Sequence, residues 1–370
     1  MENLYRDNTN ITKPNKAHYL YYKKKLLDNI NFINKEFKKV LINQNHLIND
    51  FIIAYSFKTN NSINIIKTIQ QTSLWAEVVS PEELYFALNQ GFTYSNIIFN
   101  GVCKTSESIE QCLINGSIVN VDSIEDINKC RMVAKKYNTK ANIGLRLNFD
   151  VGNGITSRFG LDTEYIDPLI KDPLLNIVGL HCHFSHAKQF SSWILRAQKM
   201  CQYGTKIPNL KYLDFGGNMT DLSNKDLFIQ YGKVINENIN NTDFKNKIDV
   251  IIEPGTPLVH DVFDLECNVI SIKKDFVFTD CCMFDLGIHT LNDKCKIKVF
   301  YNPEIKDENR MQCKNCNIVG YTCMENDVLK KSFNGKLAVG DKIRFYNVGD
   351  YSYSWSNNFI NNPLDIIDIN

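Results

Sequence analysis

No run in this chain approaches the roughly 20 consecutive apolar residues that span a bilayer as a helix, although 44% of its 370 residues are hydrophobic. The opening residues, MENLYRDNTNITKPNK, lack the apolar core of a secretory signal, so the expectation is a cytoplasmic protein with no membrane partner. Net charge is missing as well. Lys and Arg number 42 against 41 Asp and Glu, for a formal charge of +1, without the concentrated basic face of a nucleic-acid binder. The run Lys23-Lys24-Lys25 reads as a solvated helix face. In a reducing compartment the 12 cysteines read as thiols, not as a disulfide framework. Cys313 and Cys316 have the spacing of a zinc-binding pair, but no second Cys-x-x-Cys or paired histidine accompanies them, and no metal is expected.

What is present is a rhythm. Tyr19 to Tyr22 reads as a short strand, after which Leu26, Leu27, Ile30, Phe32, Ile33 and Phe37 recur at helical spacing. Eight short apolar runs follow, over residues 51–57, 75–79, 97–99, 117–121, 141–147, 177–184, 212–215 and 250–252. Helical patterns fill most of the gaps. Asn60 and Ser62 offer N-caps after the first run, Ser80 with Pro81 opens a helix that closes at Gly91, and Ser123 opens another with an acidic first turn. Strands alternating with helices in this way predict an α/β fold, a (β/α)8 TIM-type barrel over residues 23–260. A doubly wound open sheet has the same periodicity and is the alternative. Beyond Pro257 the apolar period shortens to about two, as in Phe263-Asp264-Leu265-Glu266-Cys267-Asn268-Val269. This predicts a C-terminal β-rich domain, sandwich- or barrel-like, formed by residues 261–370 together with 1–22.

In such a barrel the residues at the C-terminal ends of the strands converge on one mouth. Here they are Lys58, Glu77, Asn100-Gly101, Asp122, Arg146, His181 with His183, Gly216-Gly217 and Glu253-Pro254-Gly255. Singly, each has a plain reading: Lys58 as a solvated loop lysine, His183 as a core histidine, Gly216-Gly217 as a turn, Glu253 as a structural partner of Arg146. Together they supply an amine that can bond an aldehyde, a glycine turn whose N–H groups can meet a phosphate, a carboxylate for a protonated heteroaromatic nitrogen, and an imidazole for an aromatic ring. Those are the requirements of pyridoxal 5′-phosphate.

Specific motifs narrow this further. They are Ala54-Tyr55-Ser56-Phe57-Lys58-Thr59-Asn60, Glu77-Val78-Val79-Ser80-Pro81-Glu82-Glu83-Leu84, Ile98-Phe99-Asn100-Gly101-Val102, Ser157-Arg158-Phe159-Gly160, Gly179-Leu180-His181-Cys182-His183 and Glu253-Pro254-Gly255. The C-terminal part adds Gly320-Tyr321-Thr322-Cys323-Met324-Glu325-Asn326-Asp327 and Asn347-Val348-Gly349-Asp350-Tyr351. In order, and over nearly the whole chain, these resemble the fold-type III pyridoxal-phosphate enzymes of the alanine-racemase-like superfamily, and within it the diaminopimelate, ornithine and arginine decarboxylases. The resemblance implies a decarboxylase with Lys58 as the cofactor-bonding lysine, His183 as the ring-stacking imidazole and Glu253 on the pyridine nitrogen. It implies cofactor contacts from Gly216, Gly217, Gly255 and Tyr351, and a homodimer in which Cys323 enters the partner subunit's site. An amino-acid racemase or a non-catalytic pyridoxal-phosphate-binding protein are the alternatives.

The chain departs from the family pattern at defined points. Ser185-His186 stands where Gly-Ser is expected, Asn218 replaces the third glycine of the phosphate turn, and Thr256 replaces the arginine of Glu-Pro-Gly-Arg. Met324 takes the place of the acidic residue beside the cysteine, and Asp350 that of a small residue before Tyr351. His186 and Asn218 are therefore read as cofactor contacts of a reworked phosphate cup, and Met324, Glu325 and Tyr351 as the substrate-facing set. A substrate with a distal ammonium calls for a carboxylate near position 324, because a buried unpaired charge is strongly unfavourable. The expectation is a modified amino acid of a specialised biosynthetic pathway, carried on a carrier or within a conjugate, with poor turnover of free ornithine, arginine and lysine and weak turnover of diaminopimelate.

Overall fold

The computed structural model describes residues 16–44, 46–155, 157–187, 189–290, 295–356 and 358–369. Of the N-terminal residues assigned above to the β-rich domain, 1–15 lie outside the described residues. The chain enters through strand β1 (His18–Tyr21), forms one unit from Lys23 to Val262, and returns at Phe263 to complete the other.

The first unit opens with helix α1 (Lys23–Leu41), whose Leu26, Ile30, Ile33, Phe37, Val40 and Leu41 make one buried stripe. It continues through β2 (Ile48–Ser56), α2 (Ile63–Gln70), β3 (Trp75–Val78), α3 (Pro81–Asn89), β4 (Ile97–Phe99), α4 (Ser106–Ile114), β5 (Ile118–Val121), α5 (Ile124–Lys136) and β6 (Ala141–Asn148). After the two-residue β7 (Leu161–Asp162) come α6 (Ile166–Ile170), β8 (Leu175–His181), α7 (Phe190–Gly204), β9 (Tyr212–Asp214), α8 (Lys225–Asn240), β10 (Ile248–Ile252) and α9 (Thr256–Val259). Every pairing around the ring is parallel, and β10 pairs with β2 while β5 pairs with β6, so eight strands close into a barrel and the open-sheet alternative falls. The short apolar runs follow from this closure, since a strand covered on both faces has no solvent side to mark with polar residues. Ile52, Ala54, Ile98, Val178, Tyr212 and Ile251 share one core cluster. The Tyr212 ring occupies the space above Gly179, where an added Cβ would lie 2.0 Å from Tyr212 Cζ, and its hydroxyl donates to Asn120 Oδ1 at 2.8 Å.

Helix starts follow the sequence signals with one exception. Ser80 Oγ accepts from Glu83 N at 3.2 Å with Pro81 in the first turn, and Ser123 Oγ accepts from Asp126 N at 3.2 Å. Ser62 occupies the N-cap position of α2, but its hydroxyl makes no capping bond. Asn60 Oδ1 instead accepts from Ser62 N at 3.0 Å, which holds the segment just after Lys58 in shape.

The second unit is one eight-stranded mixed sheet of β1, β11 (Phe263–Lys273), β12 (Phe276–Thr279), β13 (Ile297–Phe300), β14 (Met311–Val319), β15 (Val328–Leu337), β16 (Lys342–Phe345) and β17 (Asp365–Asp368), with the short helix α10 (Met283–Leu286). β1 pairs antiparallel with β11 and parallel with β17. Cys313 and Cys316 are buried on β14, and among the described residues no third His, Cys, Asp or Glu joins them as a metal ligand. No helix among the described residues is long and apolar enough to cross a membrane.

Candidate active site

The chemistry collects where the barrel strands end. β2 stops at Ser56 and the chain makes a single tight turn, Phe57–Thr59, that presents Lys58. Lys58 Nζ donates to Glu77 Oε2 at 2.5 Å and to Ser56 Oγ at 2.7 Å, and Ser56 Oγ donates to the same Glu77 oxygen at 2.5 Å. The lysine side chain keeps 34% of its surface exposed while Glu77 keeps 1%, so an accessible amine rests on a buried carboxylate. Asn100, one residue beyond β4, donates to Glu77 Oε1 at 3.2 Å and to Glu253 Oε1 at 2.5 Å, and its own Oδ1 accepts from Asn120 Nδ2 at 2.9 Å.

Glu253 follows β10 and is buried among acids and a histidine. His181 Nε2 lies 3.3 Å from Glu253 Oε2. His181, Asp214 and Glu253 each bring one ligand atom within 4.8 Å of the others. Burial works to raise the Glu253 pKa, but His181 and Lys58 outweigh it and hold the carboxyl below its ordinary range. The proton goes to Asp214, which burial, and then the Glu253 charge, push well above the carboxylate range. Asp214 Oδ1 accepts from Gly216 N at 2.9 Å, so the protonated acid also shapes the turn that follows. The two shifts run in opposite directions, so within the pair Glu253 is the group that favours the ionised form and Asp214 the one that favours the protonated form. An ionised carboxylate in a dry site is suited to hold the N–H of a protonated heteroaromatic ring.

His183 stands two residues past His181. Gly217 N donates to its Nδ1 at 3.1 Å, which places the ring proton of the neutral form on Nε2. Burial and the Lys58 charge lower the His183 pKa well below its usual value, so the imidazole is neutral and suited to lie against an aromatic ring. Arg146 Nη1 donates to Asp122 Oδ2 at 2.8 Å. Its ion pair is therefore with Asp122, and the structural pairing with Glu253 considered from sequence does not form.

The Gly216-Gly217-Asn218 turn cannot take larger residues in its first two places. Gly216 has φ +65, and a Cβ there would meet Cys182 O at 2.2 Å; a Cβ on Gly217 would meet Glu253 O at 2.6 Å. Asn218 also adopts a left-handed φ of 62, a conformation asparagine tolerates better than most residues. Its side-chain amide donates to Phe184 O at 2.7 Å and Ala187 O at 3.0 Å, which engages that group away from the turn. Near this turn in sequence, His186 Nε2 and Thr220 Oγ1 are buried with no hydrogen-bond partner among the described residues, as is Thr59 Oγ1, which lies against Gly255. Gly255 is packed so closely that a Cβ would lie 1.9 Å from Thr59 Oγ1. A glycine cradle beside unsatisfied buried donors fits a phosphate.

The remaining sequence candidates belong to the second unit. Cys323 is exposed in the turn between β14 and β15, with Met324 half-buried and Glu325 exposed beside it. That turn is shaped by Asp327, whose Oδ2 accepts from Thr322 N at 3.0 Å and Thr322 Oγ1 at 2.6 Å. Tyr351 is half-buried at a φ of 53, with its ring edge-on to Trp355 at 6.4 Å. Sequence reasoning missed Asp214, hidden inside an apolar strand pattern, and Arg196, hidden on a helix.

A closed barrel with an accessible lysine on a buried carboxylate, a neutral histidine, an ionised glutamate and a glycine cradle defines an enzyme of the pyridoxal-phosphate class. The profile described as the pyridoxal-binding domain of pyridoxal-dependent decarboxylases matches residues 32–260, and the chain belongs to that family. Its cofactor is accordingly pyridoxal 5′-phosphate. The diaminopimelate decarboxylase of Methanocaldococcus jannaschii is 29% identical over 340 residues, covering 84% of this chain and 76% of that protein. The Helicobacter pylori diaminopimelate decarboxylase is 26% identical over 340 residues, covering 84% of this chain and 82% of its own. Among solved structures, the M. jannaschii enzyme in complex with L-lysine aligns with TM-score 0.78 and 26% identity over 95% of this chain and 86% of that one. The arginine decarboxylase of Paramecium bursaria Chlorella virus bound to agmatine aligns with TM-score 0.78 over 96% and 97% of the two chains; at 18% identity this likeness concerns the fold alone.

Proposed function

We propose that this decarboxylase removes the α-carboxylate of an amino acid whose far-end nitrogen is masked, as in an acylated diamino acid. The observation that carries this is Met324 next to Cys323, where the resembling enzymes keep an acidic residue. A thioether cannot balance an ammonium, and an unpaired cation beside it would lose several kcal/mol of solvation, by order of magnitude. A conjugate with a neutral distal group removes that cost. The relatives offer no support for a carrier-linked form, so a small conjugate is the substrate proposed.

When bound, the cofactor supplies a sink for the electron pair left as carbon dioxide departs. Lys58 Nζ is the amine that bonds its aldehyde carbon. Glu77, buried beneath Lys58, accepts a hydrogen bond from that nitrogen and orients it. Glu253, kept ionised by His181, would hold the ring N–H, and His183 would lie against the ring. Gly216, Gly217, Asn218 (through its backbone), Gly255 and His186 would hold the phosphate. The family resemblance adds Tyr351 to that set, and gives Cys323 Sγ, entering the partner subunit's site, the role of proton donor to Cα.

A second reading, free diaminopimelate, is favoured by the curated relatives from both an archaeon and a bacterium, which are diaminopimelate decarboxylases. Glu325 would then supply the charge that Met324 lacks. Carbon dioxide release measured on a panel of diaminopimelate, ornithine, lysine, arginine and Nω-acylated ornithine and lysine separates the two. The first reading requires the acylated compounds to exceed the free diamino acids in kcat/KM by tenfold or more. Efficient turnover of diaminopimelate alone establishes the second.

A further inference from the structure

Helix α7 carries an arginine with no role in the proposed chemistry. Trp193 and Arg196 lie three residues apart on one helical face, and both are fully buried. Arg196 Nη1 donates to Phe215 O at 3.1 Å and to Gly217 O at 2.9 Å. Trp193 Nε1 donates to Asn218 O at 3.2 Å, so three carbonyls of the glycine turn are bound from behind by one helix. The guanidinium carbon lies 4.2 Å from the Trp193 ring centroid and 5.6 Å from that of Phe184.

Among the described residues this cation forms no ion pair. Its Nε and Nη2 are buried with no hydrogen-bond partner among the described residues. Burial pulls its pKa down, with Cys182, Tyr231 and Glu253 acting against that. A guanidinium at 0% exposure without a paired carboxylate is strongly disfavoured unless an anion arrives to balance it. At Thr256 this chain also lacks the arginine that the resembling enzymes bring to the phosphate.

We propose that Arg196 is a positioning residue for the cofactor phosphate: it fixes the carbonyls of the Phe215–Asn218 turn inward, and its buried charge offsets the phosphate dianion in place of the missing cation at position 256. The inference rests on the family's cofactor and on the turn geometry; the identity of the substrate does not enter it. It accounts for a glycine turn that lacks its third glycine yet stays in shape, and for a buried arginine with idle donors.

The test compares two ligands of the apo-protein that differ only at the phosphate, pyridoxal 5′-phosphate and pyridoxal, each titrated by absorbance. Both can bond Lys58, so a general loss of structure lowers both affinities, whereas a phosphate-directed role lowers only one. In Arg196→Gln, which keeps a donor for the carbonyls and removes the charge, the preference for the phosphorylated ligand is expected to fall tenfold or more with pyridoxal affinity retained. Arg196→Lys, which restores the charge, is expected to stay within about threefold of wild type, a difference under about 0.7 kcal/mol. A glutamine variant with wild-type preference overturns the proposal. If that variant does not fold alone, adding Thr256→Arg must restore both folding and preference; a double variant that stays unfolded, or folds without the preference, overturns it equally. Failure of decarboxylation with an unaltered ligand preference would instead count against the proposed reaction.

Discussion

The Asn100 amide donates to Glu253 Oε1 at 2.5 Å, and the same nitrogen reaches Glu77 Oε1 at 3.2 Å. One neutral side chain thus joins the carboxylate under Lys58 to the carboxylate across the barrel mouth, and does so without adding charge to an acidic centre.

Asn100→Leu removes that link and leaves two buried carboxylates short of a donor. The expected loss in chemical denaturation of the apo-protein is about 2–3 kcal/mol. Asn100→Asp is expected to be worse, since it sets a third acid between the other two, and to lose cofactor retention on dialysis. A leucine variant as stable as wild type would show that Asn100 only fills space.

Glu83 titrates where physiological pH varies. Burial, with the Glu77 charge adding to it, raises its pKa from 4.5 to about 7, against a bond from Val79 N at 2.8 Å. The folded state therefore holds a proton that the unfolded state has released between these two values. Stability from this group is fully present below pH 4.5 and is lost as pH rises through about 7. The total is on the order of 3–4 kcal/mol at most. Glu83→Gln should flatten the stability difference across that window when unfolding is followed by urea titration at several pH values. A variant whose pH profile overlays wild type would remove Glu83 from the account.

Asp214 is expected to tolerate amidation. Asp214 Oδ1 accepts from Gly216 N, and the side-chain amide of an Asp214→Asn variant keeps that acceptor while placing no new charge beside Glu253. Cofactor affinity and melting temperature should stay near wild type at neutral pH, whereas Asp214→Ala loses both. Because the folded pKa is raised by burial and by Glu253, the stability tied to this proton declines as pH rises. The asparagine variant should resist alkaline loss better than wild type in thermal melts.

Cys323 is proposed to serve the partner subunit's site. Mixed Lys58→Ala and Cys323→Ala subunits, each inactive alone, should then recover about a quarter of wild-type activity by random pairing in a C2 dimer. Verified subunit exchange without recovery would place both groups in one chain's site.

The barrel was legible because parallel strands buried on both faces become unbroken apolar runs, and because working residues mark their ends: Lys58 and Glu253 stand just past such runs and His183 at the end of one. Tertiary packing hid the rest. Asp214 sits between Leu213 and Phe215 and reads as an interruption of a strand, though it lies beside Glu253 and His181 at the centre of the site, where burial favours its protonated form. Arg196 on an amphipathic helix reads as solvated, and only the packing of α7 under the glycine turn buries it. Asn218 reads as a lost glycine, yet it takes up the left-handed conformation itself and ties its side chain to the 184–187 segment.

The placement of β1 between β11 and β17 bears on how the chain is made. The barrel is one continuous segment, Lys23 to Val262, and all its strand partners are available once that segment has left the ribosome. β1 is synthesised before any of it, but Tyr19 pairs with Leu265 and Ile366, so its partners appear only at the far end of translation. An early strand therefore waits, with both edges unpaired, for the whole barrel to be translated. Late completion of the second sheet, and sensitivity of nascent chains to aggregation through β1, follow from that order.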